Sequence, residues 1–292
     1  MNKVKLWDYH VHTKLCNHAR GTVEDYVKQA IKLNLGEIGI SDHFPMNLLP
    51  EESHDFAMKI DQFSGYLDEC QQAKIRYKDE ITVKIASEVD YTPSSFLGYK
   101  KLVSENLKDF DLDYIIGSIH VIKIPEEKTF AIDGPIAKEK FNLYGEDRIF
   151  IAYYNDLIQM VKDGSDFYNI VGHMDLPKKY GDFLGTSEKI WEKIEILLDL
   201  IKEKDMVVEV NHSGYYKPVG IQYPDDKIIR EFVKREIPIV LGSDSHQIKY
   251  LAYNFDKTLS KLKRMQFEEK IPVNLCKFSK RKKTLIKLDS VI

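Results

Sequence analysis

Two histidines near the N-terminus, His10 and His12, are the first residues of this sequence whose types and spacing could do chemistry. The residues just before them, including Val4 and Leu6, predict a short strand, and side chains two positions apart on a strand point to the same face. Two imidazoles held side by side are suitable ligands for a borderline metal such as zinc. An isolated His-x-His pair is more often structural, so its interpretation depends on the rest of the chain.

Further potential metal ligands fall at or just beyond the carboxyl ends of predicted strands. They are His12, His43, Glu88, His120, His173 and His246. In an α/β barrel these strand ends converge on one face of the molecule, where active sites lie. With His10 and His18 added, the set contains seven of the nine histidines. Random placement would put several histidines into helices, so the pattern predicts a multinuclear metal site rather than structural histidines.

The elements that must position these residues alternate between strand and helix about seven times. The clearest strand is residues 81–91, where Ala86, Glu88 and Asp90 share the face opposite to the apolar one, so Glu88 is predicted to point into a barrel. The alternation predicts a parallel sheet and, with this count, a closed or nearly closed barrel; an open doubly wound sheet is the alternative. Residues 121–145, which contain several prolines and glycines, are predicted to form a long irregular loop over the site.

The composition limits the classes of protein and partner. With 292 residues, 43% of them hydrophobic, the chain can bury one sizeable core, and we expect residues 1–292 to form a single barrel domain. A net charge of −3, from 43 basic and 46 acidic residues, argues against nucleic acid and membrane as partners. Three widely separated cysteines and the lack of an apolar leader predict a reducing, cytoplasmic location. The basic run 277–283 is predicted to be a solvated face.

Seven short motifs, taken together and in order, carry a family resemblance. They are His-x-His at 10–12, Cys-x-His-Ala-x-Gly-Thr at 16–22, Ser-Asp-His at 41–43, Ser-Glu-Val-Asp-Tyr at 87–91, Gly-Ser-Ile-His at 117–120, Gly-His-Met-Asp at 172–175 and Gly-Ser-Asp-Ser-His at 242–246. The chain resembles the PHP (polymerase and histidinol phosphatase) superfamily over nearly its whole length. Within that superfamily it is most similar to the stand-alone histidinol-phosphate phosphatases.

The resemblance implies a fold and a set of metal ligands. The fold is a distorted (β/α)7 TIM-like barrel with a trinuclear metal centre at the carboxyl ends of the strands. The implied ligands are His10, His12, Glu88 and Asp244 for a first metal, His18, His43 and His246 for a second, and His120 and His173 for a third, with Glu88 bridging the third to the first. Independently of the family, imidazoles with a few carboxylates suit zinc, manganese or iron rather than calcium or magnesium. Cys16 could also ligate a metal, although a small buried thiol is the more common role.

Such a centre is suited to hydrolysis of phosphomonoesters. Metals held about 3.5–4 Å apart lower the pKa of a bridging water toward about 7, which yields a hydroxide nucleophile at neutral pH. The same metals neutralise the phosphoryl oxygens in the transition state. The leaving alkoxide needs a proton, for which we consider Asp42 or a metal-bound water. The alternative for Asp42 is that it only orients a ligand histidine.

The residues that would bind the substrate are less clearly marked in the sequence than the metal ligands. Arg20 and Lys217 are candidate phosphate-binding cations, although each could equally be a surface charge. Related phosphatases often have Asn-Thr-Ser-Gly-Leu-Arg-Lys-Pro where this chain has residues 211–218, so Tyr216 replaces an arginine and His212 a threonine. His212 is predicted to be a substrate contact, a spare ligand or, preferably, a hydrogen-bonded neighbour of the site.

Four functions can be weighed against this pattern. The leading prediction is hydrolysis of L-histidinol phosphate to L-histidinol and phosphate in histidine biosynthesis. A related phosphoesterase with another small phosphomonoester substrate would differ in residues 121–145 and 212–224. A non-catalytic metal-binding module should have lost ligands, and none is missing. A nuclease-like hydrolase should carry a basic groove, which the charge balance does not support.

Overall fold

A nine-stranded sheet forms the centre of the fold in a computed structural model that describes residues 3–49, 51–106, 111–125 and 129–291. A separate two-stranded hairpin accompanies it. The strands of the two sheets are β1 (Trp7–Asp8), β2 (Glu37–Ile40), β3 (Thr82–Asp90), β4 (Tyr114–Ser118), β5 (Val121–Ile122), β6 (Phe130–Ala131), β7 (Ile170–Val171), β8 (Val207–Asn211), β9 (Ile239–Gly242), β10 (Asn274–Ser279) and β11 (Lys282–Lys287).

The strand order of the large sheet follows the chain: β1-β2-β3-β4-β7-β8-β9-β10-β11. Neighbours from β1 to β10 pair in parallel, and β11 pairs antiparallel with β10. Beyond β1 and β9 the two ends of the seven-strand run also meet, because His12 N donates to Ser245 O at 3.0 Å and Ser245 N donates to His10 O at 3.3 Å. The order has no switch point of the doubly wound kind, and the predicted TIM-like α/β barrel is confirmed.

Helices follow the parallel strands and cover the outside of the sheet. They are α1 (Val23–Lys32), α2 (Phe63–Arg76), α3 (Phe96–Asn106), α4 (Ala137–Tyr144), α5 (Glu146–Gly164), α6 (Glu188–Glu203), α7 (Asp226–Lys234) and α8 (Phe255–Glu269). Several begin at the side chains that the sequence marks as caps. Thr22 and Asp25 form a reciprocal capping box, and the side chain of Asp225 accepts from two backbone N–H groups of α7. In the described part of the chain, no helix combines the length and the apolar character that crossing a membrane requires.

Strand β3 shows how the fold separates core from site. Val83 and Ile85 are buried in the hydrophobic core, whereas Glu88 and Asp90, on the other face, are equally buried but contact histidines. The alternation of side chains along a strand produces this separation. The prediction that Glu88 points into the barrel follows from the same period.

Residues 121–145 are not the irregular loop that we predicted. β5 and β6 form an antiparallel hairpin with Val121 opposite Ala131, and α4 follows it. The prolines and glycines mark the ends of these short elements, and buried apolar side chains such as Ile124 and Ile132 anchor them to the core. Residues 126–128 lie outside the described part of the chain. The hairpin adjoins the predicted site, since Ile132 N donates to the carbonyl of His120 at 2.8 Å.

The basic run at 277–283 is also not a solvated face throughout. It forms the β10–β11 hairpin, in which Lys277 Nζ lies 2.8 Å from Glu37 and 4.6 Å from the centre of the Trp7 ring. Arg281 donates to the carbonyl of Phe167. The prediction overlooked β10, in which the buried Cys276 and Phe278 flank Lys277.

Candidate metal centre

Four of the predicted ligands converge where the chain leaves β1, β3 and β9. His12 Nε2 lies 3.1 Å from Asp244 Oδ1 and 3.5 Å from Glu88 Oε2. His10 Nε2 lies 3.4 Å from the same Glu88 oxygen and 3.8 Å from Asp244 Oδ1. These are the four residues that the resemblance assigns to the first metal, and their potential donor atoms face a common point.

The atoms at this point lack partners of their own. His10 Nε2, His12 Nε2, His43 Nδ1 and Glu88 Oε2 are all buried without a hydrogen bond among the described residues. A buried polar atom without a partner costs about 1–3 kcal/mol, so four together are costly unless something satisfies them. A cation would satisfy all four, and the donor set fits a transition metal.

In the metal-free protein, protons compete for these same atoms. Burial opposes protonation, but the nearby carboxylates of Asp244 and Asp42 raise the pKa of His12 to about 9. Burial opposes ionisation of Asp244 in turn, yet His10 and His12 hold the pKa of that carboxyl well below its usual range. A metal would displace the imidazole protons and take their place between the rings and the carboxylates.

Glu209 orients His10, and sequence reasoning missed it. Glu209 Oε1 accepts from His10 Nδ1 at 2.6 Å, and its Oε2 accepts from the backbone N–H of His173 at 2.8 Å. This hydrogen bond fixes the tautomer of His10 and leaves Nε2 free for a metal. The carboxylate fits because residue 242 is glycine: a Cβ there would lie 2.0 Å from Glu209 Oε1. The available signal was a single acidic residue between valines in strand β8.

The two oxygens of Glu88 face different sets of histidines. Oε2 lies 2.9 Å from His43 Nδ1 and faces the first group, whereas Oε1 lies 2.9 Å from His173 Nε2 and 3.9 Å from His120 Nε2. Asp90 accepts from His120 Nδ1 at 2.8 Å and so directs Nε2 of that ring toward Glu88. This arrangement is what a carboxylate bridging two metals requires.

His18 and His246 point their Nε2 atoms at each other across 2.8 Å. His18 Nδ1 lies 2.7 Å from the carbonyl of Cys16, and His246 Nδ1 lies 3.1 Å from the carbonyl of Asp244. Because a carbonyl can only accept, both Nδ1 atoms are donors and both Nε2 atoms of the neutral rings carry lone pairs. Two lone pairs facing each other repel, so the pair needs a cation between or beside them.

The potential donor atoms around the predicted second metal fall into overlapping groups. The potential donor atoms of Cys16, His18 and His246 lie within 4.8 Å of one another. His43 is grouped at the same limit with His12 and His246, and again with Glu88 and His120. His43 therefore lies between the predicted metal positions, and Cys16 lies near the His18–His246 pair.

Asp42 lies behind His12 and is fully buried. Its Oδ1 is 3.4 Å from His12 Nδ1, and its Oδ2 accepts from the backbone N–H and the hydroxyl of Thr13. Both Asp42 oxygens therefore make their contacts on the side of the His12 ring opposite to Nε2, the potential metal ligand. This geometry favours the orienting role for Asp42 over the role of proton donor.

The other predicted catalytic and substrate-binding residues take different positions. Arg20 is exposed, and its backbone N–H donates to His246 O. Lys217 is half-buried beside the ring of Tyr216, and burial together with the charge of Lys179 lowers the pKa of Lys217. His212 is fully buried against Phe255, and its Nδ1 donates to the carbonyl of Tyr253 at 2.6 Å.

Tyr216, which replaces the arginine of related phosphatases, is committed to the protein itself. Its hydroxyl donates to the carbonyls of Ser243 and Asp244, at 3.3 and 2.9 Å. Its ring stacks on Tyr250 with the ring centres 4.0 Å apart. These hydrogen bonds fix the backbone beside Asp244, a predicted ligand. The Tyr216 hydroxyl therefore has no hydrogen left to donate to a phosphate.

The sequence matches a known family model and several named relatives. The family model described as the PHP domain matches residues 8–213. A protein of Deinococcus radiodurans named "Probable histidinol-phosphatase" is 30% identical over 88% of this chain and 93% of its own length. The histidinol-phosphatase of Bacillus subtilis is 26% identical, covering 87% of this chain and 98% of its own.

Two solved structures share the fold. A candidate histidinol phosphatase from Listeria monocytogenes aligns with a TM-score of 0.75 at 26% identity, covering 86% of this chain and 99% of that one. The histidinol phosphate phosphatase of Lactococcus lactis, solved in complex with zinc, L-histidinol and phosphate, aligns with a TM-score of 0.73 at 21% identity. That alignment covers 96% of this chain and 99% of the other.

Proposed function

This chain belongs to the PHP domain family, as its motifs predicted, and from that premise we propose that it hydrolyses L-histidinol phosphate to L-histidinol and phosphate in histidine biosynthesis. It is a metal-dependent phosphatase. The observation that carries the proposal is the convergence of nine potential ligands on one face of the barrel, in a chain that matches named histidinol phosphatases over most of its length.

We assign three divalent transition metals, zinc, manganese or iron, to this face. The residues that would hold them are His10, His12, His18, His43, Glu88, His120, His173, Asp244 and His246. When bound, the metals would activate a water molecule as the nucleophile and neutralise the phosphoryl oxygens. No side-chain nucleophile is required.

The remaining residues orient the ligands. Glu209 holds His10, Asp42 holds His12 and Asp90 holds His120, each through the ring nitrogen that does not face the centre. Carboxylates in this position fix the ring and raise its basicity as a ligand. We therefore assign Asp42 to positioning, and the proton for the leaving alkoxide to water.

Lys217 is our candidate for binding the phosphate. It lies close enough to Asp244 and Lys179 for their charges to affect its pKa, which burial lowers. A half-buried cation next to another cation gains when an anion binds beside it. With Tyr216 engaged by the backbone, Lys217 would replace the arginine of related phosphatases, and the exposed Arg20 would contribute less.

Domain organisation and location stay predictions. We infer that residues 1–292 form one barrel domain, because the last hairpin pairs with the main sheet. We infer a cytoplasmic location from the three free cysteines. L-Histidinol phosphate is the proposed small-molecule partner, and we assign neither nucleic acid nor membrane as a partner.

The experiment that tests the function compares kcat/KM for L-histidinol phosphate with that for a panel of other phosphomonoesters, after loading with zinc, manganese or iron. We expect a preference of several decades for L-histidinol phosphate. Slow hydrolysis of every ester at similar rates would still identify a phosphatase, but one with another substrate. The replacement of arginine by Tyr216 would then account for the missing preference. Absence of activity with all three metals at full occupancy would contradict the proposal and favour a non-catalytic metal-binding module.

A further inference from the structure

Asp133 and Tyr223 lie beside the predicted metal centre but outside its set of ligands, and none of the seven motifs contains either residue. We propose that the Asp133 carboxylate and the Tyr223 hydroxyl together bind the ammonium group of the substrate. The two residues would then select phosphates of amino alcohols over other small phosphomonoesters. The proposal rests on the proposed function and deepens it, because it names residues that recognise the non-reacting part of L-histidinol phosphate.

The β5–β6 hairpin places Asp133 next to the third predicted metal position. Ile132 N donates to the carbonyl of His120 at 2.8 Å, and Asp133 is the next residue in the chain. Burial opposes ionisation of this carboxyl, but Lys179, His120 and His173 lower its pKa to about 2. Asp133 is therefore an ionised carboxylate, close enough to two predicted ligands to feel their charge.

Two residues of the 3-10 helix Leu176–Tyr180 fix this carboxylate. Lys179 Nζ donates to Asp133 Oδ2 at 2.9 Å and to the carbonyl of the same residue at 2.8 Å. The hydroxyl of Tyr180 also donates to that carbonyl at 2.8 Å. Oδ1 of Asp133 accepts no hydrogen bond from the residues that the structure describes, and 29% of the side chain is exposed. One oxygen is thus held by the protein and the other is available to a ligand.

Tyr223 brings an unsatisfied hydroxyl to the same region. Its main chain is fixed at the end of β8, because Tyr223 N donates to the carbonyl of Asn211 at 2.8 Å and Asn211 N donates back at 2.7 Å. The side chain is buried, and its hydroxyl has no hydrogen-bond partner in the described ranges. Burial raises the pKa of Tyr223 and the charges of Asp133 and Asp244 raise it further, so the hydroxyl lies near both carboxylates. A buried hydroxyl in this state is costly unless a bound group satisfies it.

The order of charges along this side of the site matches the substrate. Burial and the nearby charge of Lys179 lower the pKa of Lys217, and Lys179 in turn contacts Asp133. Two cations are therefore followed by a carboxylate. L-Histidinol phosphate carries its phosphate on one carbon and, on the next, an amine that is protonated at neutral pH. With the phosphate at the metals and Lys217, the ammonium group would donate to Asp133 Oδ1 and to the oxygen of Tyr223.

This contact would distinguish the substrate from phosphomonoesters that lack an amine. A hydrogen bond between charged groups contributes about 10–100-fold to a binding or rate constant. An ester without the amine would leave Asp133 Oδ1 without that partner, while the metals and Lys217 would bind its phosphate as before. The selectivity would therefore come from the ammonium contact and not from the metal centre.

The test compares two esters that differ only in the amine. They are L-histidinol phosphate and 3-(imidazol-4-yl)propyl phosphate, in which hydrogen replaces the amino group. For the metal-loaded, unaltered chain we expect kcat/KM to be about 10–100-fold higher for L-histidinol phosphate. Most of this preference should be lost in Asp133→Asn, and Tyr223→Phe should reduce it by about 3–10-fold, in both variants through slower hydrolysis of L-histidinol phosphate alone. Asp111→Asn, which removes a carboxylate paired with Lys280 instead of Lys179, is the matched control and should keep the full preference.

The outcomes separate this site from the proposed function. Equal kcat/KM for the two esters in the unaltered chain would overturn the ammonium site and leave metal-dependent hydrolysis intact. An equal loss for both esters in Asp133→Asn would overturn it too, because that is the result expected if Asp133 only fixes Lys179 or the hairpin. If Asp133→Asn does not fold, the ratio measured in Tyr223→Phe decides. Absence of hydrolysis of both esters at full metal occupancy would instead reject the proposed function, on which the ammonium site depends.

Discussion

His10 and Glu209 form a fully buried pair in which the ring Nδ1 and the carboxylate Oε1 are 2.6 Å apart, although 198 residues separate them in the chain. Glu209 reaches no metal position itself, because it lies on the side of the ring away from Nε2. It therefore controls the direction in which His10 presents its lone pair. The same carboxylate also accepts from the backbone N–H of His173.

Replacing Glu209 should weaken metal binding without removing a ligand. Glu209→Gln keeps the volume but exchanges one acceptor oxygen for a donor amide, which can no longer enforce the tautomer of His10. We expect metal affinity to fall about 10–100-fold, measured by competition with a chelator. Glu203→Gln, at the exposed end of α6, is the matched control. An affinity equal to that of the unaltered protein would show that the pair has no orienting role.

Replacing Asp42 should separate positioning from proton donation. A general acid typically contributes about 10²–10⁴-fold to the rate, so its loss would be evident in kcat even at full metal occupancy. Because Asp42 lies behind His12, we expect Asp42→Asn to need more metal for saturation and then to turn over at a rate close to that of the parent. A loss of about 100-fold at full occupancy would assign the proton to Asp42 after all. Asp68→Asn, on the exposed face of α2, controls for the loss of a carboxylate.

Replacing Lys217 should raise KM for L-histidinol phosphate. A hydrogen bond to a charged group contributes about 1.5–3 kcal/mol, which corresponds to roughly 10–100-fold in kcat/KM. We expect Lys217→Met to lose this much, Lys217→Arg to retain part of it, and Arg20→Gln to lose less because Arg20 is exposed. Lys263→Met, on the surface of α8, is the control. Equal kinetics in Lys217→Met and the control would remove Lys217 from the phosphate site.

His212 should make stability fall in mild acid. Burial lowers the pKa of His212 from 6.5 to about 4, so below pH 6.5 the unfolded chain binds a proton that the folded protein rejects. The free energy of unfolding is therefore not reduced by His212 above pH 6.5, and it falls as the pH decreases from 6.5 toward 4. Between pH 7 and 5 this amounts to about 2 kcal/mol.

Urea unfolding with chelator present measures this effect. His212→Gln should lose about 2 kcal/mol less than the parent between pH 7 and 5, since all other titrating groups are shared. His54→Gln, at a partly exposed histidine whose Nε2 donates to Leu49 O, controls for loss of a ring outside the core. Parallel losses in the parent and His212→Gln would mean that the folded protein accommodates a protonated His212.

Much of the fold could be predicted because the potential metal ligands lie at or just beyond the carboxyl ends of the strands. The period of two along β3 was enough to place Glu88 opposite the apolar face, and the order of strands in the sheet is the order in the chain. By contrast, β5 and β6 have two residues each, too few for any period to be visible. Prolines and glycines near them then resembled a structureless loop.

The supporting residues of the site could not be predicted from spacing. Glu209 is one acidic residue between valines, and nothing near it in the sequence shows that it reaches His10. Cys16 lies in a recognisable motif, but its relation to His246 depends on the meeting of the segments beyond β1 and β9. Asp42 adjoins His43 in the sequence and accepts from its backbone N–H at 3.0 Å, yet the same oxygen lies 3.4 Å from His12 Nδ1, which the sequence does not reveal.

The β10–β11 hairpin has a consequence for how the protein is made. It hydrogen-bonds to the segment that contains the first strand. Trp7 Nε1 donates to the carbonyl of Cys276 at 3.0 Å, and the hydroxyl of Tyr9 accepts from the backbone N–H of Phe278 at 3.3 Å. Each of these two contacts joins residues 269 positions apart in the chain, so on the ribosome His10 and His12 would be made long before the strand that steadies them. Such long-range contacts slow folding, so the nascent chain would carry these two ligands unsupported while the intervening residues are made.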